Sequence, residues 1–358
     1  MEENFAKVKI SDIAKQAGVS SGTVDRVIHN RGEVAAKTRE KILAIIREMN
    51  YEPDILASTL ASKKSMRIAT LLPESEVNPF WEKPNLGLQA AWDEIKHFGV
   101  MLEKYFFDYH NQNSFSGKLD EIITSKPDGL IMSPIFTGQT RLYMEEFNRL
   151  KIPVIFLNTL MENQSNIAFV GQDPEHSGRV AAHLLDYCMH EDNKIFIINI
   201  INHKGGNSHI LKRENGFRNY FKMHSAAYLR NLTTININAQ NQSEIDILLH
   251  QNIGKLNSIP GTKGIFVTNS RVFYVADYLL KSNIDNVKLI GYDLLEQNIN
   301  HLHNKTIDFL IGQKPWEQGH KSLMALFNAL IMKKQILKNQ FLPIDIITKE
   351  NIDFYLKN

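Results

Sequence analysis

Four residues, Ser21, Gly22, Asp25 and Arg26, share one face of a short segment whose other face carries Val24, Val27 and Ile28. A hydroxyl, a carboxylate and a guanidinium displayed side by side are groups that hydrogen-bond to base edges and phosphates of nucleic acids. The segment ends the run Ile10-Ser-Asp-Ile-Ala-Lys-Gln-Ala-Gly-Val-Ser-Ser-Gly-Thr-Val-Asp-Arg-Val-Ile28. Ile13, Ala14 and Ala17 give a preceding helix one apolar face, and Gly18 supplies the positive φ that a helix end favours. Val19 plugs the small core between the helices, and Ser20 stands where its oxygen can cap the second. Two short helices about a tight turn make a helix-turn-helix, whose second helix fits the DNA major groove. An ordinary helical hairpin has the same spacing, so the turn alone does not decide between them.

Other chemistry finds no constellation. Lys204-Gly-Gly-Asn lacks the loop-to-helix signature of a phosphate-binding loop. The thirteen histidines are scattered; His301-Leu-His303 and the isolated His183, His190 and His203 lack partner spacing for zinc. The single cysteine, Cys188, excludes a cysteine-based metal site. It lies in the apolar run Ala181-Ala-His-Leu-Leu-Asp-Tyr-Cys188, which suits buried packing better than nucleophilic attack. Asp120 and Glu121 fall on a predicted helix as a solvated face. No enzyme, cofactor or metal site is expected.

The elements around the first motif support it. Glu33 to Met49 forms a third amphipathic segment, with Val34, Ile42, Leu43, Ile46 and Met49 as its apolar positions. Pro53 then breaks the chain, Asp54 can cap a new helix, and Ile55 to Ala61 gives only one or two turns. So short a helix is marginal alone and needs DNA or a second copy to hold it. Beyond Ser65 apolar runs alternate with helical stretches. Arg67–Leu72, Gly129–Met132, Val154–Leu157, Ile167–Val170, Lys194–Ile200, Lys263–Thr268, Val287–Ile290 and Asp308–Ile311 read as buried parallel strands. Helices are expected over 85–97, 139–150, 175–190 and 272–282. Repeated βα units build open parallel sheets that bind ligands at the carboxyl ends of their strands. So long a segment calls for two lobes, with crossings near 171–173, 313–315 and 338–343 and a ligand in the cleft.

Residues 8–64 resemble the headpiece and hinge of the lac repressor family of bacterial transcription regulators. The matching blocks are Ser-Asp-Ile-Ala, Ala-Gly-Val-Ser, Thr-Val and Arg-Val in the first run, then Lys37-Thr-Arg-Glu-Lys41, Asn50-Tyr-Glu-Pro53 and Leu60-Ala-Ser-Lys63. The resemblance implies that Ser21, Gly22, Thr23, Asp25, Arg26 and Asn30 face the operator. It also implies that Leu60 wedges into the minor groove beside Ala57, kinking the duplex. Arg26 would read guanine or grip phosphate. Ser21-Gly22 and Asp25 depart from the family's commoner residues; Asp25 could accept from cytosine, orient Arg26, or stand solvated.

The remainder, nearly all of 66–350, resembles the sugar-binding core that lac-type regulators share with periplasmic sugar-binding proteins. Its markers are Asn78-Pro-Phe-Trp81, Gly171-Gln-Asp-Pro-Glu-His-Ser-Gly178, Arg213-Glu-Asn-Gly-Phe217, Thr268-Asn269, Gly291-Tyr-Asp293 and Ile311-Gly-Gln-Lys-Pro315. By that resemblance Arg213, Asn269, Asp293 and Gln313 contact the ligand, and Asn78, Phe80 or Trp81 closes the pocket. A carboxylate and a guanidinium grip paired hydroxyls, while an aromatic ring covers the apolar face of a sugar. Asn158 stands where many sugar-binding relatives carry an aspartate.

The expected organisation is an α/β chain. A helix-turn-helix headpiece spans 1–52 and a hinge helix 53–64. A type I, two-lobed periplasmic-binding-protein-like domain of parallel sheets spans 65–358, with lobe 1 about 65–171 plus 314–338 and lobe 2 about 172–313 plus 343–358. Lysine and arginine total 41 against 39 acidic residues, and residues 1–65 hold 11 and 9 of them, so the whole formal charge of +2 lies in the headpiece. DNA affinity must then rest on placed cations (Arg26, Arg31, Lys37, Arg39) and fall with salt. One cysteine, no secretion signal and no run long enough for a membrane span point to the cytoplasm. The tail 350–358 lacks apolar heptads, so a homodimer is expected without a terminal coiled coil. The partners expected are a pseudo-palindromic double-stranded operator and a small sugar-like effector. A soluble sugar receptor that no longer reads DNA is the alternative.

Overall fold

The computed structural model describes residues 8–28, 32–49, 51, 65–76, 79–190, 193–201, 208–224, 231–239 and 241–356. Asn30, Arg31, Asn78, the segment 202–207 and the hinge positions Ala57 and Leu60 lie outside the described residues. The chain divides into two compact units, Met1–Lys63 and Lys64–Asn358.

The first unit contains helices Ile10–Ala17, Ser21–Ile28 and Ala36–Glu48 around a core of Ile13, Ala14, Ala17, Val24, Val27, Ile42 and Ile45. Gly18 takes φ +69°, a left-handed value that a side chain would strain, and so turns the chain between the first two helices. Ser20 caps the second: its Oγ accepts from the Thr23 N–H at 3.2 Å. In the third helix the buried stripe differs from the expected one. Leu43 is 41% exposed, and Ile45 is buried beside Ile42. Positions i and i+3 lie on one helical face, whereas Leu43 sits about 100° round from Ile42.

The second unit holds two six-stranded sheets. The first is ordered β11-β5-β4-β3-β1-β2, from Asn339–Phe341, Ala168–Gly171, Val154–Leu157, Gly129–Met132, Met66–Pro73 and Val100–Phe107. The second is ordered β12-β10-β9-β8-β6-β7, from Asp345–Ile347, Phe309–Gly312, Val287–Tyr292, Lys263–Val267, Ile195–Ile201 and Leu232–Asn238. Neighbours are parallel except β10 with β12. The two sheets share one strand order, a doubly wound pattern that places ligands beyond the carboxyl ends of the strands.

The eight apolar runs all fall on strands, with ends shifted by a residue or two. They are apolar throughout because both faces are covered. In β6, Phe196, Ile198 and Ile200 enter one core cluster, and Ile195 and Ile197 enter another. Four short or edge strands, β2, β7, β11 and β12, add to them. The chain passes between sheets at 171–174, 312–315 and 341–345. The last of these falls later than the expected 338–343, because Asn339–Phe341 pairs with β5 in the first sheet. Cys188 closes helix Pro174–Cys188 half-buried against the second sheet's core, and its burial raises the thiol's pKa. It is therefore packed, though less completely than its run suggests.

Candidate functional site

A cleft of about 640 Å³, partly open to solvent, lies in the second unit where both sheets present the carboxyl ends of their strands. Phe80, Trp81, Tyr109, Ile135 and Asn158 line it from the first lobe. Ile200, His209, Ile210, Arg213, Asn269, Ser270, Arg271 and Asp293 line it from the second, with Gln313 at a crossing.

At its base three buried side chains are linked in series. Arg213 reaches in from helix Ser208–His224, with Nη2 donating to Gln313 Oε1 at 2.6 Å and Nη1 to the Thr268 carbonyl at 2.8 Å. Gln313 then donates from Nε2 to both oxygens of Asp293, at 3.0 and 2.8 Å. Tyr292 supports the chain from below: its ring lies 3.7 Å from the guanidinium carbon, a cation–π contact, and its hydroxyl meets Ser177 Oγ at 3.0 Å. Asp293 takes φ +69° just after β9, a conformation aspartate tolerates better than most residues. That turn carries its carboxylate off the end of the strand.

Burial pushes the Asp293 carboxyl up to about 7, against the opposing pull of Arg213 and the Gln313 hydrogen bond. A raised carboxylate pKa means that the folded state keeps a proton the unfolded chain has already released near pH 4. Stability tied to this group is complete at low pH and is lost as pH rises through about 7. Between pH 6 and 8 the ligand-free protein should lose about 1 kcal/mol from this source. Urea unfolding of the wild type and of Asp293→Asn checks it, since the variant should lack that component of the pH slope.

Asn158 also adopts a left-handed φ, +66°, and its Nδ2 donates at 3.2 Å to Oε1 of the fully buried Gln318. Gln318 in turn donates to the Gln313 carbonyl at 2.9 Å, tying the first lobe to the crossing. Asn269 holds the loop after β8, donating to the Ile200 carbonyl and accepting from the Arg271 N–H. Phe80 and Trp81, in the turn Pro79–Trp81, meet edge to face with centroids 5.1 Å apart. Two buried donors, Arg213 Nε and Trp81 Nε1, have no hydrogen-bond partner among the described residues.

The fold therefore brings Phe80, Trp81, Asn158, Arg213, Asn269, Asp293 and Gln313 around one cavity, while Asn78 lies outside the described residues. The sequence reading passed over Tyr109, Ile135, Ile200, His209, Ile210, Ser270 and Arg271. Several follow strand ends, a usable signal, but Tyr109 follows the unrecognised β2. Among the described residues no cluster of His, Cys, Asp and Glu could hold a metal ion.

In the first unit, Ser21, Gly22 and Arg26 are exposed and Thr23 and Asp25 half-buried on helix Ser21–Ile28, opposite the buried Val24 and Val27. The Thr23 hydroxyl lies 3.0 Å from Ser20 Oγ, so part of its hydrogen-bonding capacity serves the cap.

Comparison with known proteins matches residues 9–54 to the bacterial regulatory proteins of the lacI family and residues 68–334 to the periplasmic binding protein domain. A sucrose operon repressor from Pediococcus pentosaceus is 28% identical over 62% of this chain, and the match spans 62% of that protein's length. A second sucrose operon repressor, from Streptococcus mutans, is 26% identical over 80% of this chain and 82% of its own. Among solved structures, a candidate LacI transcriptional regulator from Bacteroides fragilis superposes with a TM-score of 0.71 at 29% identity, covering 82% of this chain and 100% of that one.

Proposed function

The chain belongs to the lacI family of bacterial regulatory proteins, with a periplasmic binding protein domain as its larger unit, and from that premise we propose that it is a ligand-controlled transcriptional repressor of sugar-metabolism genes. The observation that carries the reading is the buried Arg213–Gln313–Asp293 chain facing Phe80 and Trp81 across the cleft. Hydroxyl pairs on a sugar ring ask for a carboxylate and a guanidinium held at fixed spacing, with an aromatic lid over the C–H face. Helix Ser21–Ile28 supplies the other half. Its exposed Ser21, Gly22 and Arg26 sit on a rigid apolar back, the form that a major-groove reader takes.

The working form is a homodimer in the cytoplasm on a pseudo-palindromic operator, one headpiece to each half-site, with Asn30, Ala57 and Leu60 completing the contact. Among the described residues, no helix is long and apolar enough to cross a membrane. Ligand in the cleft changes how tightly the headpieces hold DNA, and by linkage DNA changes the affinity for ligand by the same factor.

The test is a gel shift of a palindromic fragment upstream of the gene, titrated with salt and with sugars that stabilise the protein. The expected result is a shift that weakens steeply with salt and responds to one sugar class, with the sugar response lost in Asp293→Ala. Failure to shift any operator fragment, alongside normal sugar binding, would leave a sugar receptor instead.

A further inference from the structure

Resting on the reading of the cleft as a sugar site, we propose that its ligand is an anionic sugar derivative, carrying a carboxylate or phosphate, and that Arg271 selects it. The charges lining the cavity are unequal. Arg213 and Arg271 bring two permanent cations, and Asp293 is the only carboxylate among the described residues that line the cavity. Since burial lifts the Asp293 carboxyl to about 7, it carries less than a full negative charge at neutral pH.

The hydrogen-bonding groups lean the same way. Arg213 and Trp81 are 4% and 3% exposed, and the buried Arg213 Nε and Trp81 Nε1 have no hydrogen-bond partner among the described residues. Asn269 already commits its donor to Ile200 and its acceptor to Arg271. Asn158, whose Nδ2 already donates to Gln318 Oε1, offers one acceptor oxygen where an aspartate would offer two. A neutral sugar hydroxyl wants an acceptor for its proton as well as a donor for its lone pairs, whereas an oxyanion wants donors only.

Backbone dipoles add to the effect. Helices Ser208–His224 and Val272–Lys281 both begin at the cleft: His209 and Ile210 line it from the first turn of one, Ser270 and Arg271 from just before the other. Helix starts favour negative charge. Arg271 also stands close enough to Tyr109 and His110 of the first lobe for its charge to act on both. The ligand's hydroxyls then go to Asp293 and Arg213, and its oxyanion goes to Arg271, between the lobes.

The experiment is titration calorimetry of the full chain at low and physiological salt. The probes are glucose, galactose, glucuronate, galacturonate, glucose 6-phosphate, galactose 6-phosphate and inorganic phosphate. At least one acid or phosphate should bind about tenfold or more tightly than its neutral parent, and Arg271→Gln should remove most of that advantage. The uronate and phosphate arms distinguish the two oxyanions. A neutral parent that binds as well as its anionic forms, or an Arg271→Gln variant that weakens both equally, overturns the proposal but leaves the sugar site standing. No binding by any sugar probe, or phosphate alone binding as tightly as the sugar phosphates, overturns the sugar site as well.

Discussion

Arg213→Met is expected to abolish ligand binding in the cleft and to cost about 3 kcal/mol of stability at pH 8, with a smaller loss at pH 6. The guanidinium is 4% exposed, donates to Thr268 and Gln313, and stacks on Tyr292. Methionine fills much of the same volume but gives no donor, so a buried carbonyl and a buried amide oxygen lose their partner together. The charge balance changes as well. Arg213 is the cation that opposes the effect of burial on Asp293. Without it the carboxyl moves further above about 7, and at pH 6 it takes a proton and escapes as a neutral acid. At pH 8 more of the ionisation cost must be borne, so the deficit grows with pH. Urea unfolding at both values reads this directly. Equal losses at pH 6 and 8 would mean that Asp293 is not the group responding.

The same contrast explains how much of the fold was legible in the chain. Central strands such as Ile195–Ile201 are covered on both faces, and that requirement writes an unbroken apolar run. Edge strands answer to a weaker rule. Val100–Phe107 includes Glu103 and Lys104, and Leu232–Asn238 alternates Thr and Asn with Ile, because each has only one neighbouring strand and partial cover. Losing Val100–Phe107 as a strand meant losing Tyr109, which it delivers to the cleft.

The site divides along similar lines. Arg213 and Asp293 stand in short motifs that a family resemblance can carry, so their positions were readable. Gln318 has no such mark. It is a polar residue in a long helix, and only the packed structure shows it fully buried between Asn158 and the Gln313 carbonyl. Leu43 and Ile45 show the limit in the headpiece. Both suit an apolar face, but two positions apart they lie about 200° from one another round the helix, so only Ile45 shares the buried stripe of Ile42.

Gly178→Ala should destabilise the larger unit by about 3 kcal/mol, at the upper end for an added methyl, although alanine is the better helix former. Helix Pro174–Cys188 crosses helix Ser208–His224 at this point, and a Cβ on Gly178 would lie 2.0 Å from the Arg213 carbonyl oxygen. Gly216 meets the Glu175 carbonyl from the other side, with 1.9 Å for its own Cβ. Backbone atoms cannot swing away as a side-chain tip can, so the helices must part by more than an ångström. Phe217 and Phe221, packed against Ala181 and Leu185, would then lose contact. The displaced helix carries Arg213, so surviving folded protein should also bind ligand about tenfold more weakly, a coupling that a purely peripheral packing defect would not give. Gly117→Ala is the control: it lies inside helix Gln112–Ser125 with nothing within 4 Å of its Cβ. That change should stabilise by roughly 0.5–1 kcal/mol through helix propensity alone. Opposite signs for the two substitutions in urea unfolding would place the cost in the helix crossing, whereas a Gly178→Ala protein as stable as wild type would remove the crossing as the element that seats Arg213.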